Sequence, residues 1–352
     1  MSTFSWLGAI QTLSPAALTV RAQTISPNDE GRLLWDVFFP RVNEDSVDLA
    51  DVTTTNYRPV SDRREWNGRG RLIPDVTPTT RAVSIVPVES YFKVDEYEIQ
   101  KLNERALGNA SVIQNIIGTS LPSRVDRLAQ ANFRRMELDM IEAWTRGRII
   151  QRNPQRGDTY TASFGFSASR LLTAGTAWND GTVNAYNLLL DFLATGLDLV
   201  GPGEGVMLRL ATFQAIQADA PNPFGNTSPK LTRTDLEARI QDETGTPFRF
   251  FVNENTMDVF DDGGIAYTST KVWPTGYLAY VPAGRRVGKM SHAPVVRAMQ
   301  MSAANNTASL DLRGQTVYFD AAGAGRDLTV ECQINAAPIP DENKVLVIAT
   351  GV

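Results

Sequence analysis

Val52–Tyr91 reads VTTTNYRPVSDRREWNGRGRLIPDVTPTTRAVSIVPVESY, and its chemistry sets the architecture expected for the whole chain. It opens on β-favouring Thr and Tyr, turns at Asn67-Gly68-Arg69-Gly70 and returns through Arg81–Val86. That order predicts a long two-stranded hairpin with a glycine-containing tip. Pro59, Pro74, Pro78 and Pro87 each lack a ladder donor, which keeps the segment out of a central sheet position. Six arginines and no lysine lie between Thr53 and Val88. A lone hairpin is marginal in water, and the rigid arginine fork suits interfaces better than bare solubility. Arg63, Arg64, Trp66, Arg69 and Arg71 are therefore expected to touch a neighbouring subunit. An ordinary edge hairpin of a β-domain is the plainer alternative.

On the N-terminal side, residues 1–52 read as an arm, with apolar clusters alternating with the turn signals Ser14-Pro15 and Ser26-Pro27. Trp35, Phe38 and Phe39, closed by Pro40, are too apolar to stay in water, so they must be buried on the chain's own core or on a neighbour. On the C-terminal side, a helix is predicted over about 123–147. Pro122 precedes it, and Ser123 with Asp126 resembles an N-terminal cap. Val125, Ala129, Phe133, Met136, Met140, Ala143 and Trp144 recur at three- and four-residue steps and make one apolar stripe. Arg124, Arg127, Arg134, Arg135, Glu137, Asp139 and Glu142 are expected mostly on the other sides. Sustained heptads, which a coiled coil needs, are missing, so the helix is read as lying across a sheet.

Residues 147–180 read as a loop-rich connector with a strand-like piece at Tyr160–Phe166. A helix is predicted over Val183–Leu199. Strands follow at Val206–Leu210, Phe248–Val252 and Tyr277–Val281, with helices at Thr212–Asp219 and Leu231–Asp242, which together make a compact α/β unit. The last third is strand-rich, at Thr316–Phe319, Leu328–Ile334 and Val345–Ala349. These strands are expected to close a sheet beneath the long helix.

The composition narrows the function. The chain has 352 residues, a 42% hydrophobic fraction and a formal net charge of −5. Its pI of 5.2 argues against a nucleic-acid binder, which carries a basic face. Nearly all its positive charge is arginine. The single Cys332 sits in a strand-like LTVECQI and reads as a buried small residue, outside any disulfide framework. No apolar run approaches the ~20 residues of a membrane helix, and the N-terminus lacks the basic region of a secretory signal.

Catalytic signatures fail one by one. A Ser-His-Asp triad would need the lone His292, and no G-x-S-x-G elbow is present. One His and one Cys cannot close a zinc site. Gly201-Pro202-Gly203-Glu204-Gly205 carries a proline and an acid where a phosphate loop needs donors. Gly288-Lys289 lacks the rest of a P-loop, and Asp261-Asp262-Gly263-Gly264 lacks the spacing of a calcium loop. No catalytic, cofactor or metal residue is nominated.

Arm, long hairpin, long helix, α/β unit and closing strands, in that order, resemble the major capsid proteins of tailed phages with the Hong Kong 97-like fold, in the lambda E-type branch. Trp35-Asp36-Val37-Phe38-Phe39-Pro40 is similar to that branch's Leu-Phe-Phe arm segment, and Leu72–Pro78 falls where the family has the Pro-Gly-rich return of its extended loop. Arg127–Trp144 looks like its spine helix and Gly175-Thr176-Ala177-Trp178 like its Gly-Thr-x-Trp element. Ala337–Glu342 is similar to steps near its C-terminus. The resemblance implies an α+β fold divided into arm (1–52), extended loop (53–90), peripheral domain with the spine (91–181), axial domain (182–300) and closing strands of the peripheral domain (301–352).

It further implies an icosahedral head shell of pentamers and hexamers around packaged double-stranded DNA. Portal, a separate scaffolding protein (there being no room for a fused one before the arm) and a decoration protein are the implied partners, with no membrane. The implied place is the virion capsid, after assembly in the host cytoplasm. Some relatives crosslink through a loop lysine; this loop has none, so the shell is expected to hold by noncovalent contacts or by a decoration protein. Two other readings stand beside it: an encapsulin-like compartment of the same fold, and a hydrolase with its site in residues 206–281.

Overall fold

The described part of the arm folds back on its own subunit. The computed structural model describes residues 14–25, 33–53, 79–85, 87–94, 101, 104, 110–153, 158–221, 231–260, 267–305, 311–322 and 327–351. Helix α1 (Pro15–Thr24) starts where the Ser14 hydroxyl accepts the Ala17 N–H, with proline in the first turn, where no donor is lost. α2 (Trp35–Phe38) is a single turn. Strands β1 (Arg41–Asn43), β2 (Asp48–Thr53), β3 (Thr79–Ser84) and β4 (Pro87–Val94) follow. Then comes the longest helix described, α3 (Ala110–Arg146).

At 37 residues and ~1.5 Å each, α3 spans about 55 Å. It overruns the predicted start because Pro122 lies inside it. A proline forfeits one hydrogen bond and crowds the preceding turn, yet the helix runs through. Ser123 does not cap it; its hydroxyl donates to the Ser120 carbonyl at 2.8 Å. The expected stripe is buried, with Val125, Met136, Met140 and Trp144 essentially inaccessible and Phe133 nearly so. The expectation that the charged residues face outward fails at Glu137 and Asp139, both buried.

After α3 the order is β5 (Arg148–Asn153), β6 (Asp158–Ser163), β7 (Leu171–Thr173), α4 (Ala185–Leu199), β8 (Gly203–Leu208), α5 (Leu210–Asp219) and α6 (Arg233–Thr244). β9 (Arg249–Val252), β10 (Thr256–Phe260), β11 (Tyr267–Lys271), β12 (Tyr277–Pro282), β13 (Gly288–Ala293) and α7 (Val296–Asn305) come next. The chain closes with β14 (Thr316–Ala322), β15 (Asp327–Pro340) and β16 (Val347–Ala349).

Two five-stranded sheets organise the molecule. In the first, β15 is long enough to serve successive partners, pairing with β14, β4 and β13, while β1 adds in parallel to β13. α3 lies on this sheet. Asn132 Nδ2 donates to the Cys332 carbonyl (3.0 Å) and to Gln315 Oε1 (2.8 Å), and Gln315 Nε2 donates to the Ala129 carbonyl (3.2 Å). These bonds clamp helix to sheet through groups that would be costly if left unpaired in the interior.

The second sheet runs β7-β16-β12-β8-β9, with α4 and the core around Tyr186, Leu189 and Phe192 packed on it. β16 was expected beneath the long helix. It pairs instead with β12 and β7 in this second sheet, a long-range choice that local alternation cannot specify. The first sheet gains β13, which carries His292.

Aromatic packing joins the two halves. Trp144 meets Phe38 at 5.0 Å and Trp273 edge-on at 5.4 Å, while Trp35 stacks on Phe133 at 6.1 Å. The arm trio Trp35, Phe38 and Phe39 is therefore buried in its own subunit. α1 docks beside it. The Thr19 hydroxyl donates to the Val317 carbonyl and accepts the Val317 N–H, and Arg21 makes a two-pronged bond to Asp126 at 2.7 Å.

Candidate functional site

Three two-stranded ladders stand apart from both sheets. The first is the base of the predicted hairpin. β2 and β3 pair in antiparallel register from Asp48 opposite Ser84 to Thr53 opposite Thr79. The Ser84 hydroxyl bonds Asp48 Oδ1 at 2.6 Å, and the Ile85 N–H donates to the Val47 carbonyl at 2.7 Å. Ile85 anchors this base by packing on Ala293 and Ala337 of the first sheet. The ladder thus begins five residues before Thr53. Among the described residues it has no third strand.

The second ladder, β5–β6, is only half legible in the sequence: the strand-like piece at Tyr160–Phe166 overlaps β6, while β5 and the pairing lie in what reads as a connector. It pairs Arg148 with Ser163 through to Asn153 with Asp158. Its root is fixed where α3 ends: Gly147 has a φ of +62° that favours glycine. Ile149, Ala162 and Phe164 pack on Ala143 there, and the Ile150 N–H donates to Glu142 Oε2 at 3.1 Å. The available signal was the turn-like run Pro154-Gln155-Arg156-Gly157 with β-favouring residues on either side, Ile149 and Ile150 before it and Thr159 to Thr161 after it.

The third ladder, β10–β11, rises from the α/β half. Glu254 organises its base by accepting the Leu210 N–H (2.8 Å) and pairing with Lys271 (3.0 Å) and Arg209 (3.3 Å). Burial pushes this carboxyl up, but those partners outweigh it and hold the pKa at about 2. The Asp261–Gly264 run falls outside the described residues.

The five nominated contact residues, Arg63, Arg64, Trp66, Arg69 and Arg71, lie outside the described residues, as does the Leu72–Pro78 return. The structure brings together most of the other two nominated groups: Trp35, Phe38 and Phe39 meet Phe133, Met136, Met140 and Trp144 in one core cluster, while Val125 packs in a separate one with Leu18, Ala129 and Cys332.

The groups with chemical potential are occupied structurally. His292 lies buried on β13 with Nδ1 3.3 Å from the Arg313 carbonyl. Burial and the Arg41 charge push its pKa down to about 4, so it is neutral at pH 7. Cys332 is buried and its thiol lies 3.2 Å from Gln315 Oε1, with burial pushing the pKa up to about 12; such a thiol is a poor nucleophile. In the Gly201–Gly205 run, Glu204 accepts the Gly284 N–H (2.9 Å) and Arg285 Nε (2.8 Å). A Cβ on Gly205 would come within 1.8 Å of the Arg249 carbonyl oxygen. The glycine there serves close strand packing. Among the described residues no group of three or more His, Cys, Asp or Glu could hold a metal ion.

No family model and no curated protein sequence matches the chain. Solved structures do. A protein assigned as the capsid protein of a prophage in Escherichia coli CFT073 superposes with a TM-score of 0.56 at 12% identity, covering 96% of this chain and 98% of that one. The chain has a phage capsid protein fold. A phage-related protein from Bordetella bronchiseptica RB50 matches at a TM-score of 0.48 and 10% identity over 95% and 96% of the two chains. The capsid of a native GTA particle gives 0.47 and 12% over 92% and 89%.

Proposed function

We propose that the chain is the major capsid protein of a tailed double-stranded DNA phage, a Hong Kong 97-like subunit that assembles into the icosahedral head shell. The observation that carries this reading is the end-to-end match to the prophage capsid protein, in which nearly all of both chains takes part. The three two-stranded ladders agree with it, because a lone hairpin is marginal in water and gains from support by a neighbour.

In this reading α3 is the spine, the first sheet belongs to the peripheral domain and the second sheet to the axial domain. The extended loop, expected over 53–90, is read as residues 53–86, because Pro87–Ser90 belong to β4 of the first sheet, and it reaches a neighbour through Arg63, Arg64, Trp66, Arg69 and Arg71. The subunit works by binding copies of itself into pentamers and hexamers, without catalysis. Scaffolding protein, portal and a decoration protein are its partners, and the DNA inside is enclosed without sequence recognition. Assembly takes place in the host cytoplasm and the product is the virion capsid.

Negative-stain microscopy and sizing of the purified protein, alone and with the scaffolding candidate from its own gene neighbourhood, test the reading. Megadalton shells are the expected result; a monomer under both conditions overturns it. A terminase or portal gene beside it separates a phage shell from an encapsulin-like compartment, and turnover in a hydrolase screen would favour an enzyme. Denatured particles should run as single subunits, since the loop has no lysine to crosslink; ladders of linked subunits by mass spectrometry would contradict that.

A further inference from the structure

Glu137 is a charge-bearing side chain with no accessible surface, placed on the face of α3 that receives the arm. Its Oε2 accepts the N–H groups of Leu34 (3.0 Å) and Trp35 (2.8 Å), which open the α2 turn. Its Oε1 is buried with no hydrogen-bond partner among the described residues. The turn it holds is the one that seats Trp35, Phe38 and Phe39 in the core. We propose that Glu137 is a proton-controlled latch: neutral, it holds the Leu33–Pro40 turn in its slot, and ionised it loosens that turn from α3.

An ionised carboxylate stripped of water needs more than two donors on one oxygen, and the bare Oε1 shows that the slot does not supply them. Burial raises the Glu137 pKa from its ordinary 4.5 to about 7, against the pull of the Leu34 and Trp35 N–H groups, with Asp36 adding to the rise. The sign follows from linkage. A carboxyl whose pKa is raised in the docked state favours docking fully below the ordinary value, and that contribution is lost as pH climbs through about 7.

Other charges facing the slot are accounted for. On α2, Asp36 is exposed. On α3, Arg135 lies on Asp139 at 2.7 Å, and Arg134 is exposed one turn before Glu137. On β13, Lys289 is held by Glu44 at 3.0 Å. His292, whose ring centroid is 6.4 Å from that of Trp35, has a pKa near 4 and so stays neutral above pH 5. Glu137 is thus the group in this slot poised to change charge near neutrality.

Amide hydrogen exchange of the full chain, corrected for the intrinsic pH dependence, tests the latch. The Val37, Phe38 and Phe39 amides are bonded within the turn and report its opening. Between pH 5.5 and 7.5 their protection should fall roughly 20-fold in the wild-type protein, while β12 changes little. In Glu137→Gln, which is neutral at every pH, the fall should vanish. Equal falls in both proteins, or a fall shared by β12, overturn the proposal. Should Glu137→Gln fail to fold, the wild-type measurement still decides, because pH-independent protection of residues 33–40 is incompatible with the latch.

Discussion

The arm and the hairpin base are the same kind of sequence with opposite fates. Both are proline-marked segments flanking a larger core, and neither has a domain of its own. The arm's Trp35, Phe38 and Phe39 disappear into the subunit they belong to, held from both sides by α3 and β13. β2 and β3, by contrast, bond to one another and touch the first sheet at Ile85. Substitutions in the arm should therefore act on folding, and substitutions in the loop beyond Thr53 on what the folded subunit binds.

The largest effect belongs to the arm. Phe39→Ala empties a fully buried site beside the Gly288 backbone and should cost about 3–5 kcal/mol, by lost transfer energy plus a cavity. Chemical denaturation checks it. A loss below about 1 kcal/mol would mean that the arm is not part of the subunit's own core. Asn132→Ala comes next. It strips the clamp from the Cys332 carbonyl and Gln315 and should cost about 1–3 kcal/mol. Near-additivity with Gln315→Ala in a double-mutant cycle would show that helix and sheet do not share this network.

Much of the arm and helix was legible because their signals are local. A stripe of apolar residues at helical steps names Val125 through Trp144 from the sequence, and an aromatic group as dense as Trp35–Phe39 has to be buried. What was illegible depends on distant partners. Pro122 marks a helix start by local chemistry, yet tertiary packing lets α3 continue through it. Glu137 reads as a solvated charge until Leu34 and Trp35 arrive from a hundred residues away. β16 is apolar like any closing strand, and nothing in Val347–Ala349 says that Leu171–Thr173 and Tyr277–Ala279 are its neighbours. The nominated loop residues were chosen by composition alone, and they lie outside the described residues.

A smaller effect sharpens the contrast at the third ladder, whose base is tied by charge. Glu254 has its pKa held near 2, below the ordinary 4.5. Its stabilising contribution is therefore present above pH 4.5 and lost as pH falls towards 2. Glu254→Gln should cost roughly 1 kcal/mol at pH 7, modest because a third of the side chain is open to water. Wild type and variant should converge in stability near pH 2. A gap that persists there would assign the loss to packing instead of charge.

The smallest effect on folding should come with the greatest effect on assembly. Arg69→Glu/Arg71→Glu reverses two charges in a segment that composition marks as outward-reaching. Surface substitutions of this kind usually shift stability by less than about 0.5 kcal/mol. If the loop grips a neighbour through arginine forks, the isolated subunit should melt like the wild type while shells vanish from micrographs, because a reversed charge desolvated at an interface repels the partner it replaced. Stability and assembly would then separate cleanly between arm and loop. Intact shells at wild-type yield would remove the arginines from the interface, and a strongly destabilised monomer would place the loop, like the arm, inside the subunit's own core.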